Sequence, residues 1–469
     1  MIPSKWRYHH FLWNFLRKLW RAACQRHRIW RMLFARARNM AKLYHTCYIM
    51  DMFLVEKFRK TTKSPQIITD ETKIDELLSR SVSSVFPSKD DLKKILLSGK
   101  RLKVYLGADA TGSQLHIGHA TNLILLERLR QLGHEIIILF GDFTAMIGDP
   151  TGKEAARIQL TEDQVLKNIA SWEEQVAKVI DFKDKKNKPI VVKNSKWLSK
   201  LSFADVVKLA SHFTVQQMIE RDMFEKRLQE KKPIYLHEFF YPLMQGFDSV
   251  ALDVDLEIGG NDQTFNMLAG RILQKNYNHR EKFVIATTLL VDPKTNKKLM
   301  NKSDGKYIAL NDSATDMFGK TMALPDSSLI QVFIDCTYVP IMEIKKIEQE
   351  LISGTNPKDI KIRLAKELVT MYHSKSEADQ AEINFNNTFK KGEIPQDAKS
   401  VEVEKGSALA DILLHEKIVE SKGELRRLID ANAVTEIETD AVISDFNFKI
   451  ERNISFRIGK KRFIKINIQ

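Results

Sequence analysis

Acidic residues are missing from the first fifty positions, which hold eleven Lys or Arg and no Asp or Glu. That leaves the rest of the chain only +3 of the net +14, so composition alone does not mark the body as a nucleic-acid binder. Cysteine is nearly absent: Cys24, Cys47 and Cys336 are the only three and show no CxxC spacing, which excludes a disulfide framework and a structural zinc site and points to a reducing compartment. Long apolar runs are lacking as well. The best candidate is broken by Arg17, Lys18 and Arg21, short of the about 18 uncharged residues a membrane span needs, so a soluble protein is expected. Internal repeats are absent.

The arginine-rich start is open to two readings. One is an organellar transit peptide or a basic arm on RNA, although Ser4 is the only serine there and tryptophans stand at 6, 13, 20 and 30. The other is translated upstream sequence, with the functional start at Met50 or Met52. At 469 residues the chain has room for about three domains.

The most informative stretch is 103–123. An apolar run rich in β-formers (Val104, Tyr105, Leu106) breaks at Gly107, Thr111, Gly112 and Ser113, and apolar residues then recur at helical spacing from Ile117 through Leu123, Leu126 and Leu129. This predicts strand, turn, helix. His116 and His119 would share one face at the helix start, with Gly118 between them allowing close approach to the backbone. Free amides and the positive dipole end there suit a phosphate, although two histidines can also simply cap an ordinary βα unit. A second strand, Glu135–Phe140, completes a βαβ unit, whose ligands sit at the carboxyl ends of the strands.

Leu115-His-Ile-Gly-His119 and, much later, Leu299-Met-Asn-Lys-Ser303 resemble the two signatures of class I aminoacyl-tRNA synthetases. With 141–153 (Gly-Asp-Phe-Thr-Ala-Met-Ile-Gly-Asp-Pro-Thr-Gly-Lys) and 241–248 (Tyr-Pro-Leu-Met-Gln-Gly-Phe-Asp), the likeness narrows to the bacterial-type tyrosyl-tRNA synthetase family and covers roughly residues 73–469. The fold it implies is α/β. A Rossmann-like catalytic domain (61–305), with a dimer-forming helical insertion at about 165–260, would follow a basic extension (1–60) that is disordered or not native. A helical anticodon-side domain (306–395), a linker (396–406) and a small α+β S-four-type RNA-binding domain (407–469) would complete the chain.

The implied reaction joins L-tyrosine to its tRNA in two steps, beginning with attack of the tyrosine carboxylate on the α-phosphate of ATP, brought as its Mg2+ complex. The attacking group is already an anion, so positioning and charge stabilisation must supply the rate. The resemblance puts His116, His119 and Thr111 on the phosphates, Lys153 and Arg157 on the leaving pyrophosphate, and Lys302 and Ser303 in the second signature. Asp109, Gly118, Gly260, Asp262 and Lys302 would also contact ATP. For tyrosine it implies Asp149, Tyr241 and Gln245 at the ammonium, Tyr105 and Asp248 at the phenol, and Gln263 orienting the substrate. Lys422, Arg426, Arg427, Lys460, Lys461 and Arg462 would hold tRNA phosphates.

The segment 148–153 is not a phosphate-binding Walker loop: three residues, not four, separate Gly148 from Gly152, and Glu154 follows the lysine. Two family positions differ. Leu299 and Asn301 stand where the second signature has lysine and serine, leaving Lys298 as the nearest replacement cation, and Ala110 stands at a common proline. No metal site, no tightly bound cofactor and no membrane association are expected. A homodimer is, in the cytoplasm or, if residues 1–50 are a transit peptide, the mitochondrial matrix. The alternatives are a class I synthetase for tryptophan and an RNA-binding paralogue with reduced catalysis.

Overall fold

The computed structural model describes residues 65–149, 160–301, 305–390, 398–439, 441–459 and 462–469. The expected extension 1–60 lies outside them. Helix α1 (Glu71–Ser79) is capped by Asp70, and α2 (Lys89–Leu97) by Ser88. Between them lies a strand the sequence reading did not anticipate, β1 (Val82–Phe86). Its Val-Ser-Ser-Val-Phe is too mixed to read as a buried strand; as an edge strand it draws its pairing from the antiparallel β6.

The expected βαβ unit is present: β2 (Lys103–Ala108), α3 (Ile117–Gln131) and β3 (Glu135–Phe140), with the two strands parallel and in register from Lys103/Glu135 to Ala108/Phe140. Helix α3 is buried over most of its surface, with the charges of Glu127 and Arg130 paired to each other at 2.7 Å, and contacts the sheet and a later helix. Next come α4 (Asp142–Ile147), α5 (Glu162–Val176), whose Thr161/Gln164 capping box forms, and β4 (Ile190–Lys193). Strand β4 corrects the helical reading of 161–235, because Ile-Val-Val extends the sheet beside β3. The helical excursion therefore begins only at α6 (Ser195–Leu198) and runs through α7 (Phe203–Ala210), α8 (Val215–Ile219), α9 (Asp222–Gln229) and α10 (Phe240–Leu252).

The sheet resumes with β5 (Leu256–Gly260), α11 (Thr264–Asn278) and β6 (Phe283–Thr287). Its order is β1-β6-β5-β2-β3-β4, parallel except for β1. Chain order thus reverses between β2 and β5, and ligands of open parallel sheets bind outside the strand ends at such a point.

Helices α12 (Ala314–Met322), α13 (Leu329–Cys336), α14 (Ile341–Ile352), α15 (Pro357–Tyr372) and α16 (Lys375–Lys390) follow, α15 entering through Asn356 as cap and Pro357 at its first position. They share one apolar cluster with the sheet, running from Ile74 to Ala381. The tail has its own cluster, from Leu409 to Ile466. There α17 (Leu409–His415) and α18 (Lys422–Asp430) accompany a sheet ordered β7-β10-β9-β8, made of β7 (Lys399–Val403), β8 (Val434–Glu436), β9 (Ile454–Ile458) and β10 (Arg462–Ile468). Strand β7 corrects the expected linker 396–406. Its Val401 and Val403 turn to the tail's core while Ser400 and Glu402 face out, and it pairs in parallel with β10.

Candidate active site

A cavity of about 730 Å3 opens where β2 and β5 end. Its walls include Tyr105, Asp109, Thr111, His116, Gly118, His119, Asp149, Tyr241, Gln245, Asp248, Gly260, Asp262 and Gln263, so these sequence-selected residues converge on one space from four separate stretches of chain. Lys153, Arg157, Lys302 and Ser303 lie outside the described residues, as do Lys460 and Lys461 of the tail.

On the helix side, His116 caps α3, and its amide donates to His119 Nδ1 at 3.1 Å. A ring nitrogen that accepts from an amide carries no proton, so neutral His119 holds its hydrogen on Nε2. The rings lie 3.7 Å apart, centroid to centroid. A Cβ on Gly118 would come within 3.1 Å of His116 Nδ1, which explains the glycine between them.

Four carboxylates are fixed by neighbours rather than left to solvent. Asp109 accepts from Thr144 Oγ1 (2.6 Å) and from Tyr241 Oη (2.8 Å). Asp149 accepts from Arg221 Nη2 (2.9 Å) and Gln263 Nε2 (2.7 Å). Asp248 accepts from Trp197 Nε1 (2.7 Å) and Asn194 Nδ2 (3.3 Å). Glu257, at the back, receives Gln245 Nε2 (3.1 Å) and forms an ion pair with Lys282. Burial raises the Asp248 carboxyl well above the usual carboxylate range despite its two donors, and burial beside Glu257 does the same to the Tyr105 phenol. Tyr241 rises for the same reason, with Asp109 adding to it. Asp262 is also raised by burial, opposed by Lys298.

The structure also shows which neighbours hold several of the remaining residues. The Tyr105 ring is fully buried, and its hydroxyl meets Ser249 Oγ of α10 at 2.9 Å. Tyr241 and Gln245 bond to Asp109 and Glu257. Arg462 is held by Glu424 Oε1 (2.8 Å) and the Ile418 carbonyl (2.7 Å), since at the start of β10 it closes on α18. Lys422 remains largely exposed, Arg427 is exposed, and Arg426 lies over the Phe446 ring at 4.9 Å. In the second signature, Leu299 packs against the apolar cluster while Lys298 turns to the cavity, its Nζ 3.9 Å from Asp262 Oδ2.

Arg221, Asn194, Trp197, Ser249, Glu257 and Lys282 escaped sequence reasoning. Only Glu257 carried a signal, a charge inside the apolar run Leu256–Ile258, which demands a buried partner. Gly141 is a further omission: a Cβ there would fall well inside contact distance of Asp109 Oδ1 and Thr144 Oγ1.

The site therefore offers fixed anions for an ammonium, buried polar groups for a hydroxyl, and a helix start with imidazoles for a phosphate. The model of the family described as tRNA synthetases class I (W and Y) matches residues 97–390. The chain is 42% identical over 404 residues to a protein of Carboxydothermus hydrogenoformans named tyrosine–tRNA ligase, covering 83% of this chain and 97% of that one. A namesake from Moorella thermoacetica is 41% identical over 397 residues, with 83% and 95% covered. The fold is that of a C-terminally truncated mitochondrial tyrosyl-tRNA synthetase from Aspergillus nidulans, with TM-score 0.59 at 22% identity over 71% of this chain and 96% of that one.

Proposed function

Because the chain belongs to the tyrosine–tRNA ligases of class I, we propose that the cavity at the ends of β2 and β5 is where tyrosine and ATP are joined before transfer to tRNA. The convergence of dispersed polar residues on that cavity carries the reading.

In this reading the tyrosine carboxylate attacks the α-phosphate of Mg-ATP. A new phosphorus–oxygen bond forms, the bond to the β-phosphate breaks, and pyrophosphate leaves; the chain provides placement and charge rather than a base. Asp149, Tyr241 and Gln245 hold the ammonium, and Gln263 steadies Asp149 at 2.7 Å. Tyr105 and Asp248 take the phenol. A site built around that hydroxyl rejects phenylalanine by about 10⁵-fold, because its buried partners would otherwise stay unpaired. His116, His119 and Thr111 face the phosphates, with Nε2–H of His119 as a donor, and Gly118 lets the nucleotide approach. Asp109 fixes the floor beside them. Gly260 and Asp262 receive the ribose, and Mg2+ arrives with the phosphates. Lys153, Arg157, Lys302 and Ser303 take the pyrophosphate side. Lys298 supplies the cation that Leu299 does not, since it already reaches Asp262.

We assign the tail as the S-four-type RNA-binding domain. Support comes from its separate core and from exposed Lys422, Arg426 and Arg427 on α18, with Lys460, Lys461 and Arg462 following in sequence. A homodimer is supported by Phe203 (84% exposed) and Leu236 (72%) in the helical excursion, apolar side chains that a second copy would cover. No helix among the described residues is long and apolar enough to cross a membrane. We place the reaction in the cytoplasm or, if residues 1–50 are a transit peptide, in the mitochondrial matrix. No observation favours a paralogue with reduced catalysis.

The test is transfer of labelled tyrosine to tRNA by the full-length protein. Charging that depends on ATP and tyrosine is expected; a folded protein that binds tRNA but transfers nothing would overturn the reading.

A further inference from the structure

Behind the cavity lies a polar cluster with no direct part in the chemistry above. Lys282 is fully buried and pairs with Glu257, itself 2% exposed. The lysine also donates to Ser249 Oγ at 2.8 Å, and the same hydroxyl meets Tyr105 Oη at 2.9 Å and Glu257 Oε2 at 3.4 Å. The other oxygen of Glu257 accepts from Gln245 at 3.1 Å. Helix α11 leaves room for the cluster at Gly270, where a Cβ would lie 2.5 Å from Lys282 Nζ and 2.7 Å from Ser249 Oγ.

A buried ion pair of this kind gives little stability beyond what apolar residues of the same shape would, because desolvation cancels most of the attraction. It does provide direction. A charged lysine only donates and a carboxylate only accepts, so the hydrogens between them are ordered. Ser249 has one proton and already receives Lys282. With Ser249 giving its proton to the Glu257 carboxylate, the stronger acceptor, the ordered path runs from Tyr105 through Ser249 to Glu257, which leaves the oxygen of Tyr105, a cavity-lining residue, free to accept. Gln245, tied to the other oxygen of Glu257, is fixed by the same anchor.

We propose that Glu257 and Lys282, acting through Ser249, are positioning residues that orient Tyr105 and Gln245 and thereby set the selection of tyrosine over phenylalanine. This rests on the assignment of the cavity to tyrosine activation. One carboxylate on β5 thus couples the two ends of the amino-acid slot.

The experiment compares wild type, S249A, Y105F and S249A/Y105F, all full length, in amino-acid-dependent pyrophosphate exchange with tyrosine and with phenylalanine, beside their melting temperatures. In S249A the KM for tyrosine rises about tenfold, the scale of one lost buried hydrogen bond. The kcat with tyrosine and the KM for ATP hold, the phenylalanine rate does not change, and the tyrosine-to-phenylalanine ratio falls by the same factor. Added to Y105F, S249A changes the ratio no further, because both remove one path. An unchanged ratio in S249A, or full additivity in the double variant, overturns the proposal. Should S249A fail to fold, K282M/E257Q, which neutralises the pair together, must lower the ratio in the same sense. Wild-type exchange separates the two readings. Its absence overturns the activation reading and this one with it, whereas exchange with an unaltered S249A ratio overturns the positioning role alone.

Discussion

At the residue scale, the tightest constraint falls on Gly141. Its backbone is one that any residue can adopt, so the requirement is space: a methyl group would displace Asp109 or Thr144. Gly141→Ala is expected to keep the fold, seen as an unchanged circular dichroism spectrum. It should lower kcat/KM for tyrosine activation by on the order of 10²-fold, as misplacements of about 1 Å in an ordered site do. His134 gives a second prediction. It is fully buried, its Nδ1 accepts from the Leu102 amide at 3.2 Å, and burial holds its pKa down at about 4 against 6.5 when free. Between those values the unfolded chain binds a proton that the folded chain refuses. Stability should therefore fall by about 3 kcal/mol as pH drops from 6.5 to 4, then level off for this group. His134→Asn keeps an acceptor for the Leu102 amide and does not titrate, so urea midpoints across this window should lose that part of the slope.

At the element scale, Arg80 ties the end of α1 to the end of α13. Its guanidinium donates to the carbonyls of Phe333 (3.0 Å), Ile334 (2.7 Å), Thr337 (2.6 Å) and Val339 (2.6 Å), satisfying acceptors a helix end leaves open. Burial, with Arg128 nearby, lowers its pKa to about 10, which still leaves it charged at neutral pH. Arg80→Ala should cost about 3 kcal/mol in urea unfolding, since several buried carbonyls lose their partner at once. Elements also divide what could be read from what could not. Strands β2 and β3 were legible because their residues are apolar in their own right, and α3 because its apolar spacing is dense. Strands β1, β4 and β7 lie at sheet edges and are short, so their pairing depends on partners far along the chain. The same holds at the site. Asp109, Asp149 and Asp248 were legible from motif likeness, whereas Thr144, Arg221 and Trp197, which hold them, were not, because no local pattern links residues dozens of positions apart.

At the scale of the whole molecule, two cores divide the labour. The larger, from Ile74 to Ala381, holds the strand ends that build the cavity and the helices behind them; the smaller, from Leu409 to Ile466, supports a separate basic helix. In the proposed reading activation belongs to the first and needs only tyrosine and ATP, with tRNA required for transfer alone. The direct measurement is tyrosine-dependent exchange of labelled pyrophosphate into ATP by the full-length protein without tRNA, with phenylalanine and tryptophan as controls. The account predicts robust exchange with tyrosine and none above background with the other two. Exchange with tryptophan instead, or none with tyrosine in a folded protein, would contradict it.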